Sequence, residues 1–277
     1  MEEPQTWHHG LVADWWAEFN ADGPEIDYFG QFVARGQPAL DAGCGAGRLL
    51  VPWLQAGYDV DGSDASGDML ARCRARAEAL GHTPILLHQR LHELDPPRRY
   101  RTIVACGVFG LGSSRAQDGQ ALRCFYEALE PGGVLLLDNE APYADGRMWS
   151  RWTAAGRAAL PEQYAAEGMR RDAADGSSLE LHSRVLTVDP LDQCATMEIC
   201  ARRFHGEEEV ATETHQLSMR MYFRDELVLL LERARLLRRP RERRLRRSAT
   251  HARPRVPGVR SSALSWTGSV EHHAGTR

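Results

Sequence analysis

A seven-residue loop, Asp41-Ala42-Gly43-Cys44-Gly45-Ala46-Gly47, joins a short apolar run beginning at Ala39 to a helical run beginning at Arg48. Three glycines in five positions let a chain reverse tightly and let a ligand approach bare backbone amides, which also point out of the following helix. Few folds place such a loop between a strand and a helix. The order of the remaining elements narrows the choice further. Short apolar segments at 39–41, 58–62, 85–88, 102–106 and 134–138 alternate with helical patterns at 48–56, 66–80 and 118–129. Short buried strands alternating with helices predict an α/β chain with a parallel, doubly wound sheet. Two helices, 11–19 and 26–34, are expected ahead of the first strand, with Asp22-Gly23-Pro24 between them.

The pattern changes near position 143. Residues 149–166 read as helices rich in Trp, Tyr and Ala. From Ser178 the period falls to two, and SLELHSRVLTV, QCATMEICARRF and VATETHQLSMRMYF read as three strands joined by short turns, hence antiparallel. Residues 1–142 are therefore expected to form the core with an N-terminal helical lid, and 143–223 a helical and antiparallel β subdomain on the substrate side. Residues 224–234 are expected as a returning helix and 235–277 as a disordered, Arg-rich tail.

Charge supports that division. All 34 basic residues of the 277 are Arg, and the net charge of −4 combines −14 over residues 1–231 with +10 over 232–277. A strongly negative body argues against a nucleic acid substrate, although the basic tail alone could serve a nucleic-acid-associated module. The six cysteines contain no C-x-x-C pair and read as buried thiols. No apolar run approaches the ~20 residues of a membrane helix, and MEEPQTWHHG lacks the features of a secretory signal. A cytoplasmic location is expected.

The loop reads D-x-G-x-G-x-G. A dinucleotide fingerprint would need its third small residue where Arg48 stands, and an acid two positions ahead of the first glycine suits a zwitterionic aminoacyl group better than a diphosphate. Asp64, at the end of VDGSD, can accept both hydroxyls of a ribose. Glu130-Pro131-Gly132-Gly133-Val134 precedes the fifth strand.

With DAGCGAG, VDGSDASGDML and LEPGGVLLLD, residues 28–138 resemble the class I S-adenosylmethionine-dependent methyltransferases, and the later insertion resembles that of small-molecule members such as sugar-amine N-methyltransferases. The resemblance implies a Rossmann-like fold, S-adenosyl-L-methionine as cofactor and methyl transfer to a small-molecule acceptor by in-line displacement. It implies that Asp41, Gly43 and Gly45 hold the methionine part, with Tyr28 near its carboxylate. Asp64 would take the ribose, Ala65 and Met69 the adenine's surroundings, and Cys106 and Gly107 would line the site. Relatives carry an acid after the third strand. Here His88-Gln89-Arg90-Leu91 leaves the adenine amine to backbone groups or Gln89.

No single catalytic residue is demanded by displacement at a sulfonium methyl. Glu140 is a candidate base. Asp138-Asn139 stands where magnesium-dependent relatives place the same pair, but the further acid they need is replaced by Cys106-Gly107, so no metal is expected. Trp149, Trp152, Tyr164, Tyr222 and Arg220 could wall an acceptor. His8 and His9, beside Trp7, Trp15 and Trp16, read as a mobile segment able to close over a pocket. His205 and His215 read as exposed strand residues.

The family's last two sheet strands have no counterpart in RLLRRPRERRLRRSATHARPRVPGVR, residues 235–260. A one-base shift through GC-rich codons can turn this stretch into GFFDVPVNGAYDEAPPTPDPEFLVFV, which opens on a glycine and ends on a strand. The chain then reads either as an active methyltransferase or as a catalytically impaired cofactor-binding protein from a frame-shifted gene.

Overall fold

A computed structural model describes residues 6–139, 141–143 and 145–237, together with the backbone pairing of His251–Ala252 with Ser262–Ala263. Five strands form the central sheet: β1 (Ala39–Ala42), β2 (Val60–Asp64), β3 (Leu86–His88), β4 (Tyr100–Ala105) and β5 (Leu129–Leu137). Their order is β3-β2-β1-β4-β5, all parallel. The order reverses between β1 and β4, and in such sheets a crevice opens beyond the carboxyl ends of the strands at that point.

Alternation along each strand explains the two helical layers. Leu40, Ala42, Ile103, Ala105, Leu135 and Leu137 pack with α5 (Arg115–Ala128) and α8 (Arg224–Arg233). Ala39, Val104 and Leu136 face the other side, towards α2 (Glu25–Val33), α3 (Leu50–Gln55) and α4 (Gly67–Ala79). β2 runs two residues past the predicted end because its polar positions are satisfied. Asp61 accepts from Tyr100 Oη (2.9 Å), Arg98 Nε (2.8 Å) and Ile85 N (3.2 Å). The predicted turn at Pro131-Gly132-Gly133 is a bulge inside β5. Tyr100 pairs with Leu129 and Thr102 with Val134, so the extra residues loop out of the ladder.

The second sheet is antiparallel, in the order β6 (Met169–Asp172), β7 (Ser178–Asp189), β8 (Cys194–His205) and β9 (Glu208–Arg220). Three of these strands match the period-two segments; β6 was hidden in a stretch rich in Arg and Asp. The helices expected over 149–166 shrink to α6 (Gly146–Arg151) and α7 (Ala154–Ala158). Thr153 caps α7 by accepting from Gly156 N at 3.1 Å, which restarts the backbone, and Pro161 cannot extend it.

α1 (Gly10–Phe19) lies between the sheets and is packed rather than loose. Trp7, Leu11, Val12 and Trp15 share one core with Leu181, Val185, Met197 and Leu217. Asp14 meets Arg72 of α4 and, at 2.7 Å, Arg203 of β8. The N-terminal segment is thus a fixed roof joining the two layers.

Among the described residues the central sheet stops at β5; most of the tail, on which the expectations of two missing strands and of disorder fall, lies outside those residues. α8 ends in a paired turn, with Arg235 N donating to Glu232 O (3.0 Å) and Leu236 N to Leu231 O (2.9 Å), and Leu236 is buried. Arg235 has φ +63°, where glycine is normally found; in the shifted reading this position is glycine. Arg235→Gly is therefore expected to stabilise the chain by about 1 kcal/mol. Thermal unfolding checks this, and an unchanged or lower midpoint contradicts it.

Candidate functional site

The glycine loop leaves β1 at the crevice. Gly43, Gly45 and Gly47 have φ of +82°, +55° and +85°, a backbone course that L side chains rarely adopt. At Gly43 space matters too, since a Cβ there would sit 2.4 Å from Val108 Cγ1. A cavity of about 250 Å³ opens over this loop.

The sequence-predicted residues divide into two groups. Gly43, Gly45, Asp64, Ala65, Met69, Cys106 and Gly107 line the cavity together. Asp64 Oδ2 accepts from Gly45 N and Oδ1 from Ser66 N, each at 2.8 Å. Each oxygen keeps a further lone pair, so the carboxylate shapes the loop and can still receive a diol. Burial raises its pKa, opposed by those two N–H groups and the His88 charge. Ser66 then caps α4, accepting from Met69 N at 3.2 Å, which sets Met69 against the cavity.

Asp41, Tyr28 and Gln89 are not on the wall. Asp41 lies beneath the loop, 2% exposed, with Oδ2 lacking a partner among the described residues. Burial lifts its pKa to about 7, against the pull of Arg48 and the Leu50 amide and with the Asp64 charge adding to the rise. Tyr28 is edge-on to Phe29 and Phe32, with centroids 5.2 and 5.8 Å away. Gln89 Oε1 accepts from Asp95 N at 3.1 Å, and Arg90, Leu91 and His92 line the cavity in its place.

Because Asp41 is protonated more readily folded (about 7) than unfolded (about 4), it favours the fold below pH 4, and that contribution is lost as pH rises through 7. Asp41→Asn is therefore expected to raise the thermal midpoint at pH 8 and to leave it unchanged near pH 4. Equal midpoints for the two proteins at pH 8 contradict this.

Other predicted features serve structure. Asp138 Oδ1 accepts from Gly107 N at 2.5 Å, fixing the turn after β4, and Asn139 Nδ2 donates to Tyr222 O at 2.9 Å. Glu140 lies outside the described residues. The expected aromatic wall is dispersed. Trp149 stacks on Trp152, Tyr164 donates to Glu198 at 2.8 Å, and none of Trp149, Trp152, Tyr164, Tyr222 or Arg220 lines the cavity. His205 is exposed, whereas His215 is half-buried beside His9, with ring centroids 6.2 Å apart.

The structure adds residues that sequence reasoning missed. Arg48 lines the cavity and is held at 3.0 Å by Glu25, placing a cation beside the glycine loop where a carboxylate would rest. Thr6 and Asn20 reach the cavity from the roof, together with His8, His9 and Trp16 of the segment expected to close over a pocket. His8 accepts a bond from Ser66 Oγ at its carbonyl (2.5 Å), and its ring stands edge-on to Trp16 at 6.0 Å. Burial, then the His9 charge, lowers its pKa to about 4, so the imidazole is neutral at pH 7. Ser113, Gln117, Asp118 and Ala121 form the wall on the α5 side.

An unpartnered buried carboxylate under the loop, a loop with no room for a Cβ, and a carboxylate with two lone pairs to spare fit an aminoacyl nucleoside with a cationic end. Residues 39–133 match the family described as "Methyltransferase domain". Glycine/sarcosine N-methyltransferase from Halorhodospira halochloris is 32% identical over 132 residues, covering 46% of this chain and 48% of that protein. The chain spans less than half the length of the curated relatives it matches. Among solved structures, the CcbJ methyltransferase from Streptomyces caelestis has 22% identity and a TM-score of 0.60, covering 80% of this chain and 84% of that one. The S-adenosylmethionine-bound amino pentose methyltransferase CalS10 from Micromonospora echinaspora has 16% identity and a TM-score of 0.56, covering 84% and 91%. These likenesses establish the shared fold. Over residues 39–133, then, the chain is similar to the methyltransferase domain, and its fold is the one shared by the methyltransferases of known structure named above.

Proposed function

We propose that the whole chain transfers a methyl group from S-adenosylmethionine to a small-molecule acceptor. The observation that carries this reading is the joint placement of Gly43, Gly45 and Asp64 on one cavity wall at the reversal of strand order. Arg48 would offer its guanidinium to the cofactor's carboxylate, and the bare backbone of Gly43 and Gly45, whose N–H groups are bonded to Ser63 O (2.7 Å) and Asp64 Oδ2 (2.8 Å), would let the methionine part lie close. Asp41 would complement the ammonium end from below. Asp64 would accept from the ribose hydroxyls, while Ala65, Met69 and Leu91 would enclose the adenine. S-adenosylmethionine supplies an electrophilic methyl group on a sulfonium. The protein's task is then to align an acceptor with that group and keep water out. The roof carrying Thr6, His8 and Trp16 excludes solvent on one side, and the wall from Val108 to Asp118 bounds the acceptor on the other.

Glycine/sarcosine N-methyltransferase and CalS10 are named for amine substrates, so amines are the first acceptors to try here. A nucleic acid substrate is not expected from a cavity of this size in a negatively charged body. No helix among the described residues is long and apolar enough to cross a membrane.

Two measurements test the proposal. Calorimetric titration with S-adenosylhomocysteine is expected to show one site per chain, and labelled S-adenosylmethionine to yield methylated product with a panel of small amines and alcohols. Binding without turnover on any acceptor favours the catalytically impaired reading; no binding removes both.

A further inference from the structure

On the acceptor side of the cavity sits a carboxylate whose ion pair, with Arg220 at 3.9 Å, is a long one. Asp118 lies at the fourth helical position of α5, is 2% exposed, and forms part of the cavity wall. Two neutral hydroxyls hold it. Ser113 Oγ donates to Oδ1 at 2.5 Å, and Tyr222 Oη donates to Oδ2 at 2.6 Å. The nearest cation is Arg220, whose Nε stands 3.9 Å from Oδ2 and has no hydrogen-bond partner among the described residues. Arg220 spends its guanidinium on Asp192 instead, through the Asp192 carbonyl and, at 3.1 Å, its carboxylate. Arg115, the other cation of this region, meets Glu226. Across the wall, Gln117 Nε2 contacts His92 Nε2 at 3.2 Å.

A buried carboxylate bonded by neutral donors and open to a cavity is electrostatically incomplete. A positively charged nitrogen bearing N–H donors completes it.

We infer that Asp118 is a specificity-determining residue that binds a cationic nitrogen of the acceptor, and that Tyr222 positions it. This rests on the methyltransferase reading above, because it assigns Asp118 to the half of the cavity the cofactor would leave open.

Tyr222 is well placed for that role. It is fully buried, its ring lies 5.4 Å from Phe109, and its carbonyl accepts from Asn139. It follows β9, which also clamps the loop after β4. Gly112 N donates to Ser218 O at 2.7 Å, and Arg220 N to Gly110 O at 2.8 Å. The second sheet therefore fixes both the acceptor loop and the hydroxyl that orients Asp118. Burial raises the Asp118 pKa, while the Ser113 and Tyr222 hydroxyls and the charges of Arg220 and Arg115 oppose the rise.

The test uses the full chain saturated with S-adenosylhomocysteine and methylammonium as probe, with methanol and acetate as neutral and anionic counterparts. Carbon-detected NMR of the Asp118 carboxyl follows both binding and titration. Methylammonium is expected to saturate a shift at Asp118 with at least tenfold preference over methanol, and acetate to have no effect. Asp118→Asn, followed by calorimetry alongside the unmodified chain because it has no carboxyl at 118, should weaken methylammonium at least tenfold without changing S-adenosylhomocysteine affinity. Tyr222→Phe, which keeps the ring, should move the Asp118 titration to higher pH and weaken methylammonium in the same direction. No saturable shift, equal response to methanol, or an unchanged affinity in Asp118→Asn overturns the inference. Loss of S-adenosylhomocysteine binding in the unmodified chain would instead strike the underlying reading.

Discussion

Asp64→Ala is expected to lower S-adenosylhomocysteine affinity by about 100-fold or more. Asp64 does two things with one carboxylate. It ties Gly45 N and Ser66 N at 2.8 Å each, and it offers its remaining lone pairs to a ribose diol. Removing charge-assisted hydrogen bonds to two hydroxyls costs about 3 kcal/mol, or two orders of magnitude in affinity. The loop also loses its anchor, so the backbone against which the cofactor's methionine part would lie is no longer held. Asp64→Asn keeps the shape and replaces one acceptor by a donor, and should fall between alanine and the unmodified chain. Calorimetry measures all three. A loss of less than fivefold in Asp64→Ala contradicts the ribose assignment.

The second large effect is at Gly43. Substitution by alanine imposes a φ of +82° on a residue with a Cβ, which costs roughly 1–3 kcal/mol. The new methyl would also sit 2.4 Å from Val108 Cγ1, so the loop after β4 must retreat or the glycine loop must open. Either movement alters the cavity wall. Gly43→Ala is therefore expected to lower both the thermal midpoint and S-adenosylhomocysteine affinity, the latter at least tenfold. Gly57→Ala separates the two causes. Its φ is +81°, but a Cβ there meets nothing within 4 Å. That variant should lose comparable stability and keep its ligand affinity. Equal affinities for Gly43→Ala and the unmodified chain would show that the loop does not shape the ligand site.

The central sheet was legible because its strands are short, apolar and separated by recognisable helix stops, and because the loop at Gly43 marks the reversal. The end of β2 was less so. The polar Ser63 and Asp64 look like residues beyond a strand that ends at 62, and the bonds that hold Asp61 inside the sheet come from Arg98 and Tyr100, distant in sequence. Asp118 was hidden by a boundary. A helical pattern that begins at 118 leaves Asp118 at the helix end, with no face assigned to it. The capping box of Ser114 and Gln117 starts the helix earlier and turns Asp118 inward; those two residues, three apart, were the signal. In the sequence Arg48 stands out only for the small residue it replaces. Its place on the cavity wall depends on Glu25, from a helix ahead of the sheet. The roof could not have been read from periodicity, since Trp7 and Trp15 are buried by strands more than 160 residues later.

The most direct test of the account is a crystal structure of the full chain with S-adenosylhomocysteine. The ligand's carboxylate is expected at Arg48 beside the glycine loop, both ribose hydroxyls on Asp64, and the sulfur facing the wall that carries Asp118. A ligand bound elsewhere, or a cavity left empty at saturating S-adenosylhomocysteine and filled instead by an adenine dinucleotide, would contradict it.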